Sequence, residues 1–493
     1  QLDERSNRLA HFFTELGLKP GDSIAMFLEN NAHFLEIAWA AQRTGLYYTP
    51  ISSRMTHSEV AYIVNDCGAK VLFTSQAMAT VAQLVPELTH GVSTYVMCNS
   101  AGNSKSDPPK PYVRYEDLAA KYPPTPVKNE TEGSDLLYSS GTTGVPKGVK
   151  VPRSERAIGT PDAVVMLIKF LYGASDKSIY LSPAPLYHAA PLRFTIAFTR
   201  IGATVVIMDH FEPVEYLSLI DRYSATHTQL VPTMFVRMLK LDPEVRMRFE
   251  LSSLECAIHA SAPCPIDVKR QIIEWWGPVI NEYYAGTESN GFVACDSAQW
   301  LAHQGTVGKP LMGAVHIIND DGVEVGPGID GTVYFEMEGA SFEYLNDPEK
   351  TSTSRNEKGW TTLGDIGHLD VDGFLYLTDR KAYMIISGGV NIYPQEAENV
   401  LVGHAKVMDA AVFGIPNEEM GEEVKGIVEL VDHSAGSIEL AHELIEYCRS
   451  SLAHYKCPKS IEFIAELPRH ANGKLYKRLL RDKYWEGHSK NIA

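Results

Sequence analysis

The sequence contains 493 residues, which exceeds the usual size of one hydrophobic core and predicts at least two domains. Its hydrophobic (44%) and charged (21%) fractions are those of an ordinary globular protein. The formal net charge of -17 argues against a general nucleic-acid-binding protein, because nothing would supply a sequence-independent attraction to a phosphate backbone. A polyanionic ligand must therefore be held by local positive charge.

The cysteines and the apolar runs indicate the compartment. There are seven cysteines, an odd number without a Cys-x-x-Cys pair, which argues against a disulfide framework and favours a reducing cytoplasm. No apolar run is long enough to span a bilayer, and the chain does not open with a signal peptide. Because the chain begins at Gln1 inside a predicted helix, we expect native sequence before it, and a targeting segment there stays open.

Short apolar strands alternate with helices in the first hundred residues. One helix is predicted to end at Gly17, and Thr56 and Glu59 have the capping-box spacing at the start of another. Strands are predicted at 23–28, 71–73 and 95–97, and a helix at 31–44. This alternation indicates a parallel sheet covered on both faces, so the predicted fold class is α/β. Residues 100–130 are rich in Pro, Ser, Lys and Asp and predict a solvated connection.

The pattern changes twice further along the chain. A second strand-helix series has strands at 179–181, 204–208 and 229–231. From about Gly305, short strands with tight turns predict a small β-rich subdomain. After Arg380 comes a compact mixed unit, with predicted strands at 410–413 and 426–430 and a helix near 439–452. This unit is the candidate for a separate C-terminal domain.

The most informative stretch is residues 137–149, in which a short apolar run enters a loop rich in Gly, Ser and Thr that contains Lys147. Glycines let backbone N–H groups approach an anion, and the hydroxyls and the ammonium add donors and charge. The loop is not the P-loop of nucleotide hydrolases, because Pro146 stands where that motif needs its second glycine and Gly148 follows the lysine. On composition alone, a plain surface turn is the alternative.

The whole stretch 137–149 resembles the signature phosphate loop of the adenylate-forming superfamily, which includes acyl-CoA synthetases, aryl-CoA ligases, adenylation domains and firefly luciferase. The resemblance implies that the loop binds the nucleotide and that Thr142 and Lys147 act in catalysis. The nucleotide-binding residues it implies in this loop are Ser139, Ser140, Gly141, Thr143 and Gly144.

A second motif, residues 283–288, follows a predicted strand and combines aromatic, hydroxyl and carboxylate side chains. A carboxylate beside a triphosphate makes sense only if it holds Mg²⁺, although the hexapeptide alone is also compatible with a strand-end turn. It is similar to the Tyr-Gly-x-Thr-Glu motif of the superfamily. The resemblance implies that Tyr284 packs on adenine, Thr287 contacts the α-phosphate and Glu288 binds magnesium and acts in catalysis.

The acyl pocket is implied by the same resemblance. It places Ala285, which stands for the family's glycine, and Gly286 at the acyl pocket, with His188 as part of its wall or gate. A general base is not required, because a carboxylate nucleophile is already ionised at neutral pH. The resemblance also places a small-residue segment beside adenine, formed by Ser261, Ala262 and Pro263.

Three later motifs complete the resemblance, although each could be an ordinary turn or, at the C-terminus, a solvated basic surface. Residues 359–365 are similar to the motif whose aspartate, here Asp365, accepts hydrogen bonds from the ribose hydroxyls. Arg380 is implied near the ribose and the α-phosphate. The remaining implied roles are the hinge at Ala382, the CoA tunnel at Gly388 and Gly389, and the catalytic lysine at Lys474.

These motifs identify the chain as a member of the adenylate-forming superfamily. The resemblance implies a large N-terminal domain of α/β layers with a β-barrel-like subdomain at 1–380, and a small mobile α+β C-terminal domain at 381–493 that carries the catalytic lysine. It also implies an acyl-CoA ligase that uses ATP, Mg²⁺ and CoA. The apolar and small residues expected at the pocket favour a medium-chain fatty or aromatic acid.

Several alternatives stay open at this point. The thiol acceptor could be the phosphopantetheine of a carrier protein, and the chain could be a non-catalytic nucleotide-binding relative. Long-chain acids are also not excluded by the residues of the predicted pocket. The sequence does not determine the oligomeric state, for which a homodimer is one option.

Overall fold

The computed structural model describes residues 1–99, 107–139, 146–339, 342–380, 383–388, 390–469 and 475–486, and of Arg380 the backbone alone. It confirms the predicted α/β class, with a large N-terminal domain and a small C-terminal domain. The helices are α1 Leu2–Glu15, α2 Ala32–Arg43, α3 His57–Asp66, α4 Ala79–Ala82, α5 Tyr115–Ala119, α6 Ala163–Phe170, α7 Ala189–Arg200, α8 Pro213–Tyr223, α9 Pro232–Leu239, α10 Pro243–Arg246, α11 Ile266–Trp276, α12 Ser297–Ala302, α13 Pro348–Thr353, α14 Pro394–Gly403, α15 Ile438–Ser451 and α16 Lys477–Trp485.

The first sheet has parallel strands in the order β5-β4-β3-β1-β2-β6. Successive residues of its central strand enter different cores, because side chains alternate across a strand. Ile24 and Met26 pack with α1 and α2, whereas Ala25 and Phe27 pack with α3 on the opposite face. The six strands are β1 Ser23–Phe27, β2 Tyr47–Ile51, β3 Ala69–Ser75, β4 Thr94–Cys98, β5 Val113–Arg114 and β6 Ser134–Asp135.

The second sheet has the order β10-β9-β11-β12-β13-β14-β15, with five parallel strands and two antiparallel ones at one edge. Its strands β12 and β13 pair in parallel, so their carboxyl ends leave the sheet side by side. The strands are β9 Ile179–Ser182, β10 Thr204–Ile207, β11 His227–Leu230, β12 Cys256–His259, β13 Ile280–Tyr284, β14 Phe292–Cys295 and β15 Lys309–Met312.

Two smaller sheets complete the N-terminal domain. The β-rich subdomain predicted after Gly305 is an antiparallel sheet of order β16-β17-β19-β20, formed by β16 Ala314–Ile318, β17 Gly331–Glu336, β19 Thr361–Leu369 and β20 Leu375–Arg380. Among the described residues these four strands do not close into a barrel. A three-stranded sheet joins β7 Leu137–Ser139 and β8 Lys147–Lys150 to β18 Glu343–Tyr344.

The C-terminal domain is a sheet of order β22-β21-β24-β23, with β25 paired to β24 and helices α14 to α16 around it. Alternate residues of β23 again enter separate cores, with Ala410 and Val412 on one face and Ala411 and Phe413 on the other. The strands are β21 Ile385–Ser387, β22 Val390–Ile392, β23 Val407–Asn417, β24 Gly421–Leu430 and β25 Ser460–Ile464.

The prediction of a solvated connection at 100–130 is wrong for part of that range. Tyr112 is buried and donates a hydrogen bond to the carbonyl of Ala82 at 2.8 Å. Tyr115, at the start of α5, is also buried and donates to Glu36 Oε2 at 2.7 Å. Long-range packing of these two tyrosines overrides the polar composition around them.

Within the part of the chain that the structure describes, we find no helix that is both long and apolar enough to cross a membrane.

A buried ion pair joins helix α11 to strand β13. Lys269 of α11 is fully buried, its Nζ lies 2.5 Å from Glu282 Oε2 of β13, and its ammonium sits over the ring of Trp300 at 4.8 Å. A buried charge is tolerated only when its partner is present, because removing one partner leaves the other charge uncompensated. The pair therefore fixes α11 against the strand that leads into the second motif.

Lys269→Met is expected to lower the free energy of unfolding of the N-terminal domain by about 3 kcal/mol, because the Glu282 carboxylate loses its partner while buried. Urea unfolding followed by tryptophan fluorescence measures the loss. The double variant Lys269→Met/Glu282→Leu is the control and should recover most of it, since both charges are then gone. A double variant no more stable than the single one would contradict the role of the pair.

Candidate active site

The phosphate loop connects the hairpin strands β7 and β8, whose register places Ser139 opposite Lys147. The Oγ of Ser139 donates to the carbonyl of Lys147 at 3.5 Å, so the two ends of the loop lie together. The Nζ of Lys147 is hydrogen-bonded to Asp347. The predicted residues Ser140, Gly141, Thr142, Thr143 and Gly144 lie outside the described residues, and their roles stay predictions.

The second motif begins at the carboxyl end of β13 and is half-buried from Tyr284 to Glu288. Tyr284 and Asp365, which the sequence assigns to adenine and ribose, contact each other: the tyrosine hydroxyl donates to Asp365 Oδ2 at 2.6 Å. Glu288 Oε1 accepts a hydrogen bond from the hydroxyl of Tyr344 at 2.8 Å. Two of the four motif side chains with polar groups are thus fixed by contacts to distant strands.

Gly286 lies against two neighbouring side chains that a Cβ would displace. A Cβ added there would lie 2.7 Å from Glu288 Oε2 and 2.8 Å from Leu363 Cδ2, which is closer than real Cβ contacts. Glu288 Oε2 therefore lies directly over the glycine. The structure places this residue beside the Glu288 carboxylate, whereas its predicted place at the acyl pocket stays a prediction.

Asp365 and Arg380 are directly opposite each other in the antiparallel pair β19 and β20. The carboxylate of Asp365 is buried, with 6% of the residue exposed, and one of its oxygens is taken by Tyr284. Strand pairing thus brings together the two residues that the sequence assigns to the ribose. The side chain of Arg380 lies outside what the structure describes.

Glu288 fits a magnesium site by the chemistry of its donor. Mg²⁺ in nucleotide sites is commonly held by one or two carboxylates together with substrate phosphates. Glu288 offers one carboxylate, which accepts a hydrogen bond from Tyr344 and lies in the same region as the lysine of the phosphate loop. The residues therefore fit the metal that the motif implies.

Another group of possible metal ligands, His303, Asp370 and Asp372, has its ligand atoms within 4.8 Å of one another. Its geometry is that of a turn. Asp370 Oδ1 accepts the backbone N–H groups of Asp372 and Phe374 at 2.9 and 2.8 Å, and its Oδ2 lies 2.9 Å from His303 Nδ1. These contacts account for the position of Asp370 without an ion.

The residues assigned to the acyl pocket and to adenine lie at neighbouring element ends. His188 is the N-cap of α7, and its ring packs on Tyr187 with 4.6 Å between ring centroids. Ala285 packs with the buried cluster that contains Tyr283 and Phe194. Beside them, the exposed segment Ser261, Ala262 and Pro263 follows β12, and Ser261 has a left-handed backbone with φ of +77°.

The residues assigned to the second half-reaction are described only in part. Gly388 is exposed between β21 and β22, has φ of +57°, and its N–H donates to the carbonyl of Met420 at 2.7 Å. Glycine adopts that backbone without a steric cost, and an added Cβ would meet the end of the Met420 side chain. Ala382, Gly389 and Lys474 lie outside the described residues.

Arg193 is a site residue that the sequence analysis missed. Its Nε and Nη2 lie 3.1 and 2.8 Å from Asp135 Oδ2, and Nη2 also donates to the carbonyl of Thr287 at 3.2 Å. Burial alone would lower the pKa of Arg193, but the ion pair with Asp135 outweighs it, so the pKa is raised. Arg193 therefore links α7, strand β6 and the second motif. A cation in the first half of the largely apolar helix α7, whose other arginine is its last residue Arg200, was the signal available.

Tyr344 and Asp347 were missed as well. Asp347 Oδ1 accepts the backbone N–H of Lys350 at 2.9 Å, which caps α13, and the hydrogen bond from Lys147 lowers the pKa of its carboxyl. Each of the two residues contacts a side chain that the sequence assigned to catalysis. The dipeptide Asp347-Pro348 indicates a helix start in the sequence but not these contacts.

Comparison with known proteins places this geometry in a family. The family model described as AMP-binding enzyme matches residues 1–345, and the one described as AMP-binding enzyme C-terminal domain matches residues 396–474. Among curated proteins, the long-chain-fatty-acid–CoA ligase FadD13 of Mycobacterium tuberculosis is 32% identical over 494 residues, covering 98% of this chain and 92% of that protein.

Two further proteins cover nearly the whole chain. The fatty acid–[acyl-carrier-protein] ligase ScoC of Streptomyces coeruleorubidus is 30% identical, covering 100% of this chain and 92% of that protein. The structure of the o-succinylbenzoate-CoA synthetase MenE from Bacillus subtilis, in complex with the acyl-adenylate intermediate OSB-AMP, has a TM-score of 0.79 at 25% identity and covers 98% of this chain and 92% of its own. The chain therefore belongs to the AMP-binding enzyme family, within the adenylate-forming superfamily that its motifs predict.

Proposed function

We propose that the chain is an AMP-forming acyl-CoA ligase. It activates a carboxylic acid with ATP to acyl-AMP and pyrophosphate, and then transfers the acyl group to the thiol of CoA with release of AMP. The observation that carries the proposal is the joining of separate motifs by direct contacts: Tyr284 to Asp365, and Lys147 and Glu288 to one short segment at Tyr344 and Asp347. Relatives named as CoA ligases of fatty and aryl acids support it.

In the first half-reaction the carboxylate of the acid attacks the α-phosphorus of ATP. Lys147, the hydroxyls of the phosphate loop and Lys474 stabilise the charge that develops at phosphorus, since donors preorganised in a dry site act most strongly there. Glu288 would hold Mg²⁺, which neutralises charge on the phosphates. Asp365 would accept the ribose hydroxyls, and Tyr284 would both fix this carboxylate and contact adenine.

The second half-reaction requires a different arrangement of the same domains. We take residues 1–380 and 381–493 as the two bodies, with Ala382 as the hinge. Rotation of the smaller body would withdraw Lys474 and bring Gly388 and Gly389 to the tunnel through which the CoA thiol reaches the acyl carbonyl. The exposed, left-handed turn at Gly388 supports this role because glycine presents no side chain there.

The acid is proposed to be aromatic or a fatty acid of medium length. Beside Ala285, the rings of Phe194, Tyr283 and Phe292 form a stack, with 6.0 Å between the first two centroids and 5.1 Å between the last two. Such a wall favours flat or apolar acyl groups over short polar ones. Ala285, in place of the glycine of the motif, adds one methyl group to the pocket.

A carrier-protein phosphopantetheine is the second candidate for the acceptor. The similarity to ScoC, which is named as a ligase for an acyl-carrier protein, is the reason to test this acceptor beside CoA.

All seven cysteines are free thiols, which supports a reducing compartment such as the cytoplasm.

Pyrophosphate release with Mg·ATP is expected to depend on one class of acid and to accelerate when CoA is added, because the thiol removes acyl-AMP. The measurement uses fatty acids of increasing length and a set of aryl acids, each with and without CoA. Acceleration by a pantetheinylated carrier protein but not by CoA would favour the second acceptor. ATP binding without release for any acid would contradict the proposed activity.

Lys474→Ala is expected to reduce acyl-AMP formation by at least about 100-fold, because a donor to the developing charge is lost, while thioester formation from supplied acyl-AMP changes less than about threefold. Single-turnover assays of the two half-reactions measure this. Lys459→Ala is the matched control, since this half-exposed lysine of the same domain is not placed in the site. Equal loss in both half-reactions would contradict the separate roles of the two arrangements.

A further inference from the structure

Residues 343–347, called the strap below, run beside the strand that leaves the phosphate loop. Glu343 and Tyr344 form β18 and pair antiparallel with β8, and the N–H of Leu345 donates to the carbonyl of Gly148 at 2.8 Å. The strap is thereby fixed in register with the backbone on the carboxyl side of Lys147.

Tyr344 is the rigid end of the strap. It is 6% exposed, its ring lies edge-on to Phe342 at 5.6 Å, and its N–H donates to Thr351 Oγ1 at 2.9 Å. From this fixed base its hydroxyl donates to Glu288 Oε1 at 2.8 Å. A buried ring with a set backbone can hold the carboxylate of a loop residue in one orientation.

The other end of the strap is fixed independently. Asn346, in a left-handed conformation with φ of +56°, donates to Asp66 Oδ1 at 3.0 Å, and Tyr138 of β7 donates to Asp66 Oδ2 at 2.6 Å. Asp347 is held by the start of α13 and hydrogen-bonds Lys147. Only two residues therefore lie between Tyr344, which contacts the carboxylate of Glu288, and Asp347, which contacts the loop lysine.

We propose that Tyr344 is a positioning residue that orients Glu288 for the metal ion, and that the strap couples this carboxylate to the phosphate loop. The inference rests on the proposed function, since it takes Glu288 as the magnesium ligand. Glu288 and Lys147 come from separate parts of the chain but must face one triphosphate, and the strap sets their relative position through its own short backbone.

The decisive variant is Tyr344→Phe, which removes the hydroxyl and keeps the ring and its packing. Binding of Mn²⁺, as a paramagnetic probe, to the enzyme with ATP but without acid or CoA is measured by electron paramagnetic resonance. We expect the affinity for Mn²⁺ to fall about 10-fold, because a hydrogen bond to a charged group is lost. Affinity for ATP in EDTA should stay within about twofold, since the phosphate-loop contacts remain.

Tyr484→Phe is the matched control. Tyr484 donates to Glu462 Oε2 at 2.8 Å in the C-terminal domain, so the same kind of hydrogen bond is removed away from the site. It should leave Mn²⁺ affinity unchanged. In a Glu288→Gln background, Tyr344→Phe should cause no further loss, because the carboxylate on which it acts is gone.

The outcomes separate the possible roles. Unchanged Mn²⁺ affinity in Tyr344→Phe, or equal losses of ATP affinity with and without metal, would overturn the proposal in favour of a purely structural strap. Additive losses in the Glu288→Gln background would also overturn it. A Mn²⁺ affinity that depends on Tyr344, in an enzyme that releases no pyrophosphate with any acid, would uphold the strap and reject the proposed function.

Discussion

Charge balance around a bound triphosphate is the constraint on which this site depends. The chain carries a formal net charge of -17, and four carboxylates lie near the motifs that the sequence assigns to the nucleotide. Each of them accepts a hydrogen bond from a defined donor: Asp135 from Arg193, Asp347 from Lys147, Glu288 from Tyr344, and Asp365 from Tyr284. The donors are of two kinds, and the difference has a chemical meaning. A carboxylate paired with a cation presents little net charge to the phosphates. The two carboxylates that accept a hydrogen bond from a tyrosine hydroxyl, Glu288 and Asp365, are the ones predicted to meet a cation and the ribose hydroxyls.

The chain topology brings the pieces to one place. Parallel strands β12 and β13 release their following loops at the same edge of the second sheet, which is where ligands commonly bind in open α/β sheets. The hairpin of β7 and β8 closes the phosphate loop, and the pairing of β19 with β20 sets Asp365 opposite Arg380. Arg193 then joins the first sheet to the loop after β13, because it bonds both Asp135 of β6 and the carbonyl of Thr287. The site is thus assembled at the boundaries between sheets, so its precision depends on contacts that cross them.

Local features of the sequence predicted local structure well. The capping box at Thr56 and Glu59 is present, with both of its reciprocal hydrogen bonds, because a cap depends only on residues three apart. The motifs also predicted the family, since they are long and occur in order.

The strap could not be predicted in the same way. Its two-residue strand pairs with β8, and Asp347 is 200 residues from Lys147, so no local pattern encodes the contact. The buried Tyr112 and Tyr115 were missed for the same reason, because their partners Ala82 and Glu36 are remote in sequence.

One contact between the two domains differs from the charged pairs of the site. The ammonium of Lys240, just after α9, donates to the carbonyls of His404 and Val407 in the C-terminal domain, the first of them at 3.2 Å, and burial lowers its pKa. Neutral carbonyls compensate a buried ammonium less completely than a carboxylate would, so the contact gives orientation with little net stabilisation. Val402 of α14 adds apolar packing against the core of the second sheet. A weakly compensated cation beside a small apolar contact is suited to an interface that the proposed rotation would open, because the ammonium is also stable in water. The proposed rotation about residue 382 would break this interface, whereas the ion pair of Lys269 with Glu282, enclosed within one domain, would stay intact.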